Sequence, residues 1–498
     1  MDAPDATVAP SVHEPPTALP PAALPPQAVK ALKAAGIPMQ HVGVSVRPVD
    51  RRGAPPLLAL NEEQPYLLAS TAKVVTSLAA LRLLGSERRW RSQAYATGPV
   101  AGGRVSGDLV FVDAPAGLTL AELRRWFQQM RREGVQEVTG RIVLGPTLLL
   151  HEAPPTGRPA DGGGADAART GGGLRVRVAP GRPGGRAHVS ISPRPAGVRL
   201  QDDVQMAAGP VRAGAAGEGA DGCAVYARWS SPPGAGRGAT LAVSGRWHRG
   251  CGSREVARLD WDPGGGRAAP AAAASPPAAA ATTGVVPSAQ LVAALWRETG
   301  GRLGAGVVEE MPSRTAPGPA WRSSLVISLS QRLQEINKWS LNPAARQLLQ
   351  SLAAETLGTP ASPRAQLRLQ AWLRQEGLAA DDLQIELGSG QSRNERGKPR
   401  AMVQLLTNAW HNGTARQLMP TLPVAGVDGT LAHRLQKSPA RGRASLKTGT
   451  LRDTRALAGY VTGASGRVYA VALMVNHPRA AASVPALDAI VEWVAVNG

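Results

Sequence analysis

The stretch LLASTAKVVTSLAALRLLG, residues 67–85, holds the decisive pattern. From Ser70 to Leu84 it predicts a helix, with Val74, Leu78 and Leu81 on one face and Gly85 as its stop. Ser70 and Lys73 stand three positions apart at the helix start, so their side chains share a face one turn apart. A lysine amine that is itself neutral can then take the serine's proton, and burial beside a second cation favours that neutral form. The helix start also offers backbone N–H groups to a developing oxyanion. Alone, Ser-x-x-Lys arises easily by chance.

Two more short motifs follow in order, Ser340-Leu341-Asn342 and Lys447-Thr448-Gly449. Lysine is scarce in this chain: Lys30, Lys33, Lys73, Lys338, Lys398, Lys437 and Lys447 are all there are. At that frequency coincidence is a poor account of three ordered motifs, each in suitable local sequence. The set resembles the signature of penicillin-binding proteins and serine β-lactamases. Its surroundings resemble the D-alanyl-D-alanine carboxypeptidase/endopeptidase family with a large insertion. The nucleophile helix, INKWSLNPAARQLLQ around the second motif, and LPVAGVDGTLAHRL ahead of SLKTGTL carry that resemblance, with Asp428-Gly429-Thr430 before the third motif. The long gap between first and second motifs fits this family better than a β-lactamase.

The resemblance implies a role for each residue. Ser70 would be the acyl-accepting nucleophile and Lys73 its general base. Ser340 would relay a proton to the leaving amine, and Asn342 would hydrogen-bond substrate or Lys73. Lys447 would face the substrate's terminal carboxylate, aided by the hydroxyls of Thr448 and Thr450, while Gly449 lets the strand lie close. The N–H groups of Ser70 and Thr450 would form the oxyanion hole, and Lys338 would add positive potential. The sequence departs from the family at Leu387-Gly388-Ser389-Gly390-Gln391-Ser392, where an apolar residue replaces an acid and leaves the loop's anchor unaccounted for. Arg393 and Arg396 remain as the family has them. Between Leu150 and Gly173, Gly-rich sequence stands in place of an aromatic-rich stretch near the cleft.

The rest of the chain fits an α+β fold: an antiparallel sheet flanked by helices, interrupted by a mostly β insertion. A Pro-rich leader and first helix occupy residues 1–36. The peptidase-like part is expected at 37–95 and 285–498, the insertion at 96–263, and an Ala/Pro/Gly-rich linker at 264–284. In the insertion, GDLVFVDA and TGRIVLG read as strands around an amphipathic helix from Leu120 to Glu133. LRVRVA, AHVSIS, CAVYARW and ATLAVSGRW read as further strands. Helices are expected from Ser288 to Thr299, after Asn342, and from Ser362 to Gly377. RASLKTGTL, ALAGYVTG and VYAVALMVN read as three strands, closed by a helix from Ala486 to Val494.

With 498 residues, 43% hydrophobic and 18% charged, the chain can build more than one core. No apolar run approaches bilayer length, which predicts a soluble protein. Net charge is +20, but it is dispersed arginine without basic runs or stacking aromatics, so nucleic acid is not an expected partner. A basic surface can still hold an envelope protein peripherally near wall or lipid polyanions. Cys223 and Cys251, the only cysteines, suit one disulfide in an oxidising compartment; two free buried thiols are the alternative. The opening residues look like a secreted, periplasmic chain whose signal has been removed, though a cytoplasmic leader would read alike. His188, His248, His411, His433 and His477 lack triad spacing. Trp90, Trp247, Trp261, Trp339 and Trp372 read as core or interface anchors. No metal or cofactor is implied.

Two readings follow. One is an acyl-serine peptidase acting on peptidoglycan stem peptides and inhibited by β-lactam antibiotics. The other is a non-catalytic envelope scaffold that keeps the pocket and uses its basic surface; it would not need all of Ser70, Lys73, Ser340, Asn342, Lys447 and Thr448.

Overall fold

The strand Val468–Asn476 carries no charged residue, the pattern of a strand covered on both faces. In the computed structural model it is the middle of a five-stranded antiparallel sheet, ordered 58–60, 42–48, 468–476, 454–462, 444–451. The structure describes residues 24–112, 117–145, 148–150, 174–182, 184–194, 198–207, 225–230, 240–259, 288–310, 321–353, 362–432 and 434–498. The leader up to residue 23, the stretch 151–173, the linker 264–284, Cys223, Trp261 and His433 lie outside these.

Strand alternation feeds two cores. Val471, Leu473 and Val475 point into one, with Leu32 of the helix Pro26–Ala35 and Ile490 and Val494 of the helix Val484–Asn497. Ala470, Ala472 and Met474 point into the other, beneath the helix Pro399–His411. The small alanines on that face give Pro399–His411 room to lie close, and the helix Ala72–Leu83 lies deeper in the same core. Residues Ala72 to Leu81 are all buried, so this is a core helix covered on every side rather than one with a single apolar face. The segment Ala480–Asn497 is long and apolar enough to cross a bilayer by composition, contrary to the sequence expectation, but half of it is buried against the sheet.

The insertion builds its own core. A second five-stranded sheet runs in the order 306–309, 141–144, 109–111, 89–96, 322–328. The helix Leu120–Arg132 packs on it, started by a capping box in which Glu122 N–H donates to Thr119 Oγ1 at 3.1 Å and Thr119 N–H to Glu122 Oε2 at 2.8 Å. Phe111 meets Trp126 edge-on at 4.9 Å, and Phe127 meets Trp296 at 5.0 Å. Two three-stranded sheets and a four-stranded sheet of short strands, in the order 302–303, 137–138, 104–105, 100–101, complete this part among the described residues.

The boundary expected at residue 285 does not hold. Leu291, Val292, Leu295, Trp296, Leu325 and Ile327 all belong to the insertion's core. The cause is a long-range pairing: Arg322–Ser328 runs antiparallel beside Arg89–Ala96 along its whole length. The insertion therefore leaves and re-enters through neighbouring strands. Trp90, Trp247 and Trp372 are buried, but Trp339 is 45% exposed and anchors no core. Cys251 is buried at the end of the turn Arg249–Cys251.

Candidate active site

Ser70 sits in a tight 3-10 turn, Ala69–Thr71, and the α-helix begins only at Ala72. The sequence places the helix start at Ser70; the correction is one turn of tighter winding. That turn is held from below, because Thr71 donates its N–H and its hydroxyl to Leu68 O at 3.1 and 2.5 Å. Ala69 has φ +44°, an uncommon conformation for a residue with a Cβ, immediately before the serine.

Lys73 is fully buried. Its Nζ donates to Ser70 Oγ at 3.0 Å, to Asn342 Oδ1 at 2.6 Å, and to the carbonyl oxygen of Ser389. Asn342 opens the helix Asn342–Ser351, where Pro343 suits the first turn. Ser340 lies just before it, buried, with φ +59°.

Lys447 lies on the edge strand Ala444–Leu451. Leu446 points into the core behind the sheet, so alternation turns Lys447 and Gly449 toward the nucleophile helix. The amine is enclosed and donates to Ser340 Oγ at 3.0 Å and to Thr448 O at 2.9 Å. Burial first, then the charge of Lys73, holds this amine well below the ordinary lysine range. Thr448 and Thr450 are partly exposed, and the Thr448 hydroxyl meets the Thr430 hydroxyl at 2.7 Å. A Cβ on Gly449 would stand 2.9 Å from Leu68 O and 3.2 Å from Ala69 Cβ, so only glycine brings this strand so near the serine turn. The structure thus brings the predicted residues of all three motifs to one place.

Neighbouring charges are paired locally. Lys338 Nζ lies 2.5 Å from Asp428 Oδ2, and Asp428 Oδ1 accepts from Val424 N–H at 2.8 Å. Lys338 therefore braces the segment before the third motif instead of standing as an ordinary surface lysine. Arg393 pairs with Asp453 at 2.7 Å. Burial pushes the Asp453 carboxyl up, but the Arg393 hydrogen bond and charge outweigh it and leave it low.

The loop with the apolar Leu387 has an anchor that the sequence reading missed. Glu395 is fully buried. Its Oε1 accepts the N–H groups of Glu386, Leu387 and Gly388 at 3.3, 3.0 and 2.6 Å, and its Oε2 accepts that of Gly390 at 2.6 Å. Gly390, at φ +85°, is pressed so close that a Cβ there would lie 1.8 Å from Ala69 O. An acid soon after a Gly-Ser-Gly turn was the available signal, but its reach back to those N–H groups is invisible without the fold.

Comparison with known proteins agrees with this arrangement. The model of the D-Ala-D-Ala carboxypeptidase 3 (S13) family matches residues 28–216 and 267–496. D-alanyl-D-alanine carboxypeptidase DacB of Haemophilus influenzae is 29% identical over 192 residues, 38% of this chain and 40% of that protein. A D-alanyl-D-alanine carboxypeptidase of an Actinomadura species is 33% identical over 167 residues, 32% of this chain and 31% of that one. These alignments span less than half the length of either relative. The crystal structure of penicillin binding protein 4 from Haemophilus influenzae shares the fold, with a TM-score of 0.56 at 20% identity, covering 93% of this chain and 97% of that one. With its motifs assembled and most of its length matched, the chain belongs to the D-Ala-D-Ala carboxypeptidase 3 (S13) family.

Proposed function

We propose that this protein is a serine-type D-Ala-D-Ala carboxypeptidase or D,D-endopeptidase that cleaves peptidoglycan stem peptides through an acyl-enzyme on Ser70. The observation that carries this is the lysine pair: each buried amine holds one serine hydroxyl, Lys73 that of Ser70 and Lys447 that of Ser340, at 3.0 Å each. A scaffold has no need of two lysines sealed from water beside two serines.

In the reaction Ser70 Oγ bonds to the carbonyl carbon of the penultimate D-Ala while its proton passes to Lys73 Nζ. The oxyanion forms against the N–H groups of Ser70 and Thr450. Collapse breaks the C–N bond, and the leaving amine takes a proton from the Ser340 hydroxyl, which Lys447 refills. Water then adds to the ester, its proton returning through Ser340 to Lys447 while Lys73 gives its own back to Ser70 Oγ. Thr448 and Thr450 offer their hydroxyls to the terminal carboxylate, with Lys447 supplying positive potential from beneath the strand. β-Lactam antibiotics would acylate the same serine and block it.

The basic net charge of +20 suits peripheral residence at the envelope, and periplasmic placement suits a Cys223–Cys251 disulfide. Titrating thiols in the unfolded, unreduced protein tests that bridge, and two free thiols would exclude it. For the activity itself, fluorescent penicillin is expected to label the wild type, with the adduct mapping to residues 67–73, and Ser70→Ala to take none. An unlabelled wild type, or a labelled Ser70→Ala, overturns the acyl-enzyme reading.

A further inference from the structure

Three acceptors of the Lys73 amine among the described residues are not equivalent. A protonated amine has three hydrogens, one for each of Ser70 Oγ, Asn342 Oδ1 and Ser389 O. A neutral amine has two hydrogens and one lone pair. A carbonyl and an amide oxygen can only accept, whereas a hydroxyl can also donate. The two remaining hydrogens therefore stay on Asn342 and Ser389, and the lone pair is left facing the Ser70 hydroxyl. The Ser389 carbonyl is thus half of the device that aims Lys73 as a base.

That carbonyl belongs to a loop with φ +72° at Gly388 and φ +85° at Gly390, a winding that turns consecutive N–H groups toward one side. Those N–H groups converge on the Glu395 carboxylate. Main-chain bonds tie the same residue to the nucleophile from the other side: Leu68 N–H donates to Glu395 O at 3.0 Å, and the next residues, Arg396–Gly397, pair with Tyr66–Leu67. Leu68 in turn accepts from Thr71, the residue after the serine. One buried residue therefore fixes both the Ser389 carbonyl and the chain that leads into Ser70.

Resting on the acyl-enzyme reading above, we infer that Glu395 is a positioning residue for catalysis, holding the Ser389 carbonyl so that the lone pair of neutral Lys73 points at Ser70. It does not touch the reacting atoms. Burial raises its pKa, and the N–H groups of Gly388 and Gly390 pull partly against that rise. Neighbouring Arg393 is engaged elsewhere, by Asp453.

The role separates from simple folding support by where the loss appears. Glu395→Gln keeps the size but turns an amide NH2 toward N–H groups that need an acceptor. Stopped-flow labelling with fluorescent penicillin gives the non-covalent dissociation constant and the acylation rate constant separately. We expect the rate constant to fall about ten- to a hundredfold, as for a misplacement near 1 Å, with the dissociation constant unchanged. Glu395→Asp, which keeps the charge but withdraws it by one methylene, should fall between that variant and wild type. It also serves if the amide variant does not fold. Folded variants that acylate at the wild-type rate, or whose loss lies wholly in binding, overturn the role of Glu395. Wild type that takes no label overturns the acyl-enzyme reading instead.

Discussion

The catalytic half and the insertion handle buried polar groups differently. Around the nucleophile helix, Thr76 donates to Gly388 O at 2.8 Å, and Asn337 donates to Ser77 Oγ and Thr421 Oγ1 at 3.1 and 2.9 Å. In the insertion and at its junction, Glu122 Oε1, Arg124 Nε, Arg131 Nε and Nη2, His248 Nδ1, and Arg332 Nε and Nη1 are buried without a hydrogen-bond partner; in the catalytic half, among the described residues, only Arg47 Nε is so placed. Arg131 lies instead with its guanidinium 3.6 Å from the Trp296 ring centre, and burial lowers its pKa to about 10. Orphaned buried donors cost stability but leave geometry loose, whereas a matched network fixes atoms in place. The catalytic half spends its polar groups on position. The insertion relies on aromatic and aliphatic burial.

That contrast breaks most sharply at Lys73. Lys73→Met should lower acylation about a thousandfold or more while leaving the protein folded, since it removes the base and one member of an interdependent set. Stopped-flow labelling beside a melting curve reads both quantities. A variant that retains a tenth of wild-type acylation would place the base elsewhere.

The opposite behaviour is expected of the buried pair Glu122–Arg332, at 3.2 Å between the insertion's helix and the helix Leu329–Lys338. Glu122→Gln leaves the Arg332 charge enclosed and should cost about 3–5 kcal/mol in denaturant unfolding. Acylation by the folded fraction should stay near wild type. A large fall in acylation with little loss of stability would show that the insertion steers the site and would erase the contrast.

The smallest effect concerns Lys447 and pH. Its folded pKa lies well below the ordinary 10.5, so between those two values the unfolded chain binds more protons than the native one. Stability should therefore rise with pH through that window, by at most about 1.4 kcal/mol per pH unit, and fall as pH drops back through it. Lys447→Met should flatten the rise. An equally steep rise in the variant would assign it to another group.

Much of this was legible before any coordinates. The three motifs, the central apolar strand and the helix boundaries near Asn342 and Gly377 rest on local rules of spacing, capping and turn chemistry. What escaped depends on contacts far apart in the chain. Strand 322–328 shows nothing in its own residues that assigns it to the insertion; only its partner at 89–96 does so. Trp339 has the composition of an anchor, but its place beside the site leaves it exposed. Leu387 reads as a lost acid, whereas the acid that serves the loop stands at Glu395, after the chain has turned back on itself.

The scatter of the site along the chain also sets a clock. Lys73 and Asn342 are 269 residues apart, and Ser340 and Lys447 another 107. At about 5–20 residues per second of synthesis, tens of seconds pass between the appearance of the serine and that of the edge strand. Through that interval the nucleophile helix, buried on every side in the finished protein, lacks later elements that cover it and needs shelter from aggregation. On the acyl-enzyme reading, a nascent chain has no reactive serine until its final hairpin docks. A penicillin pulse given during synthesis would then mark finished molecules and pass over growing ones.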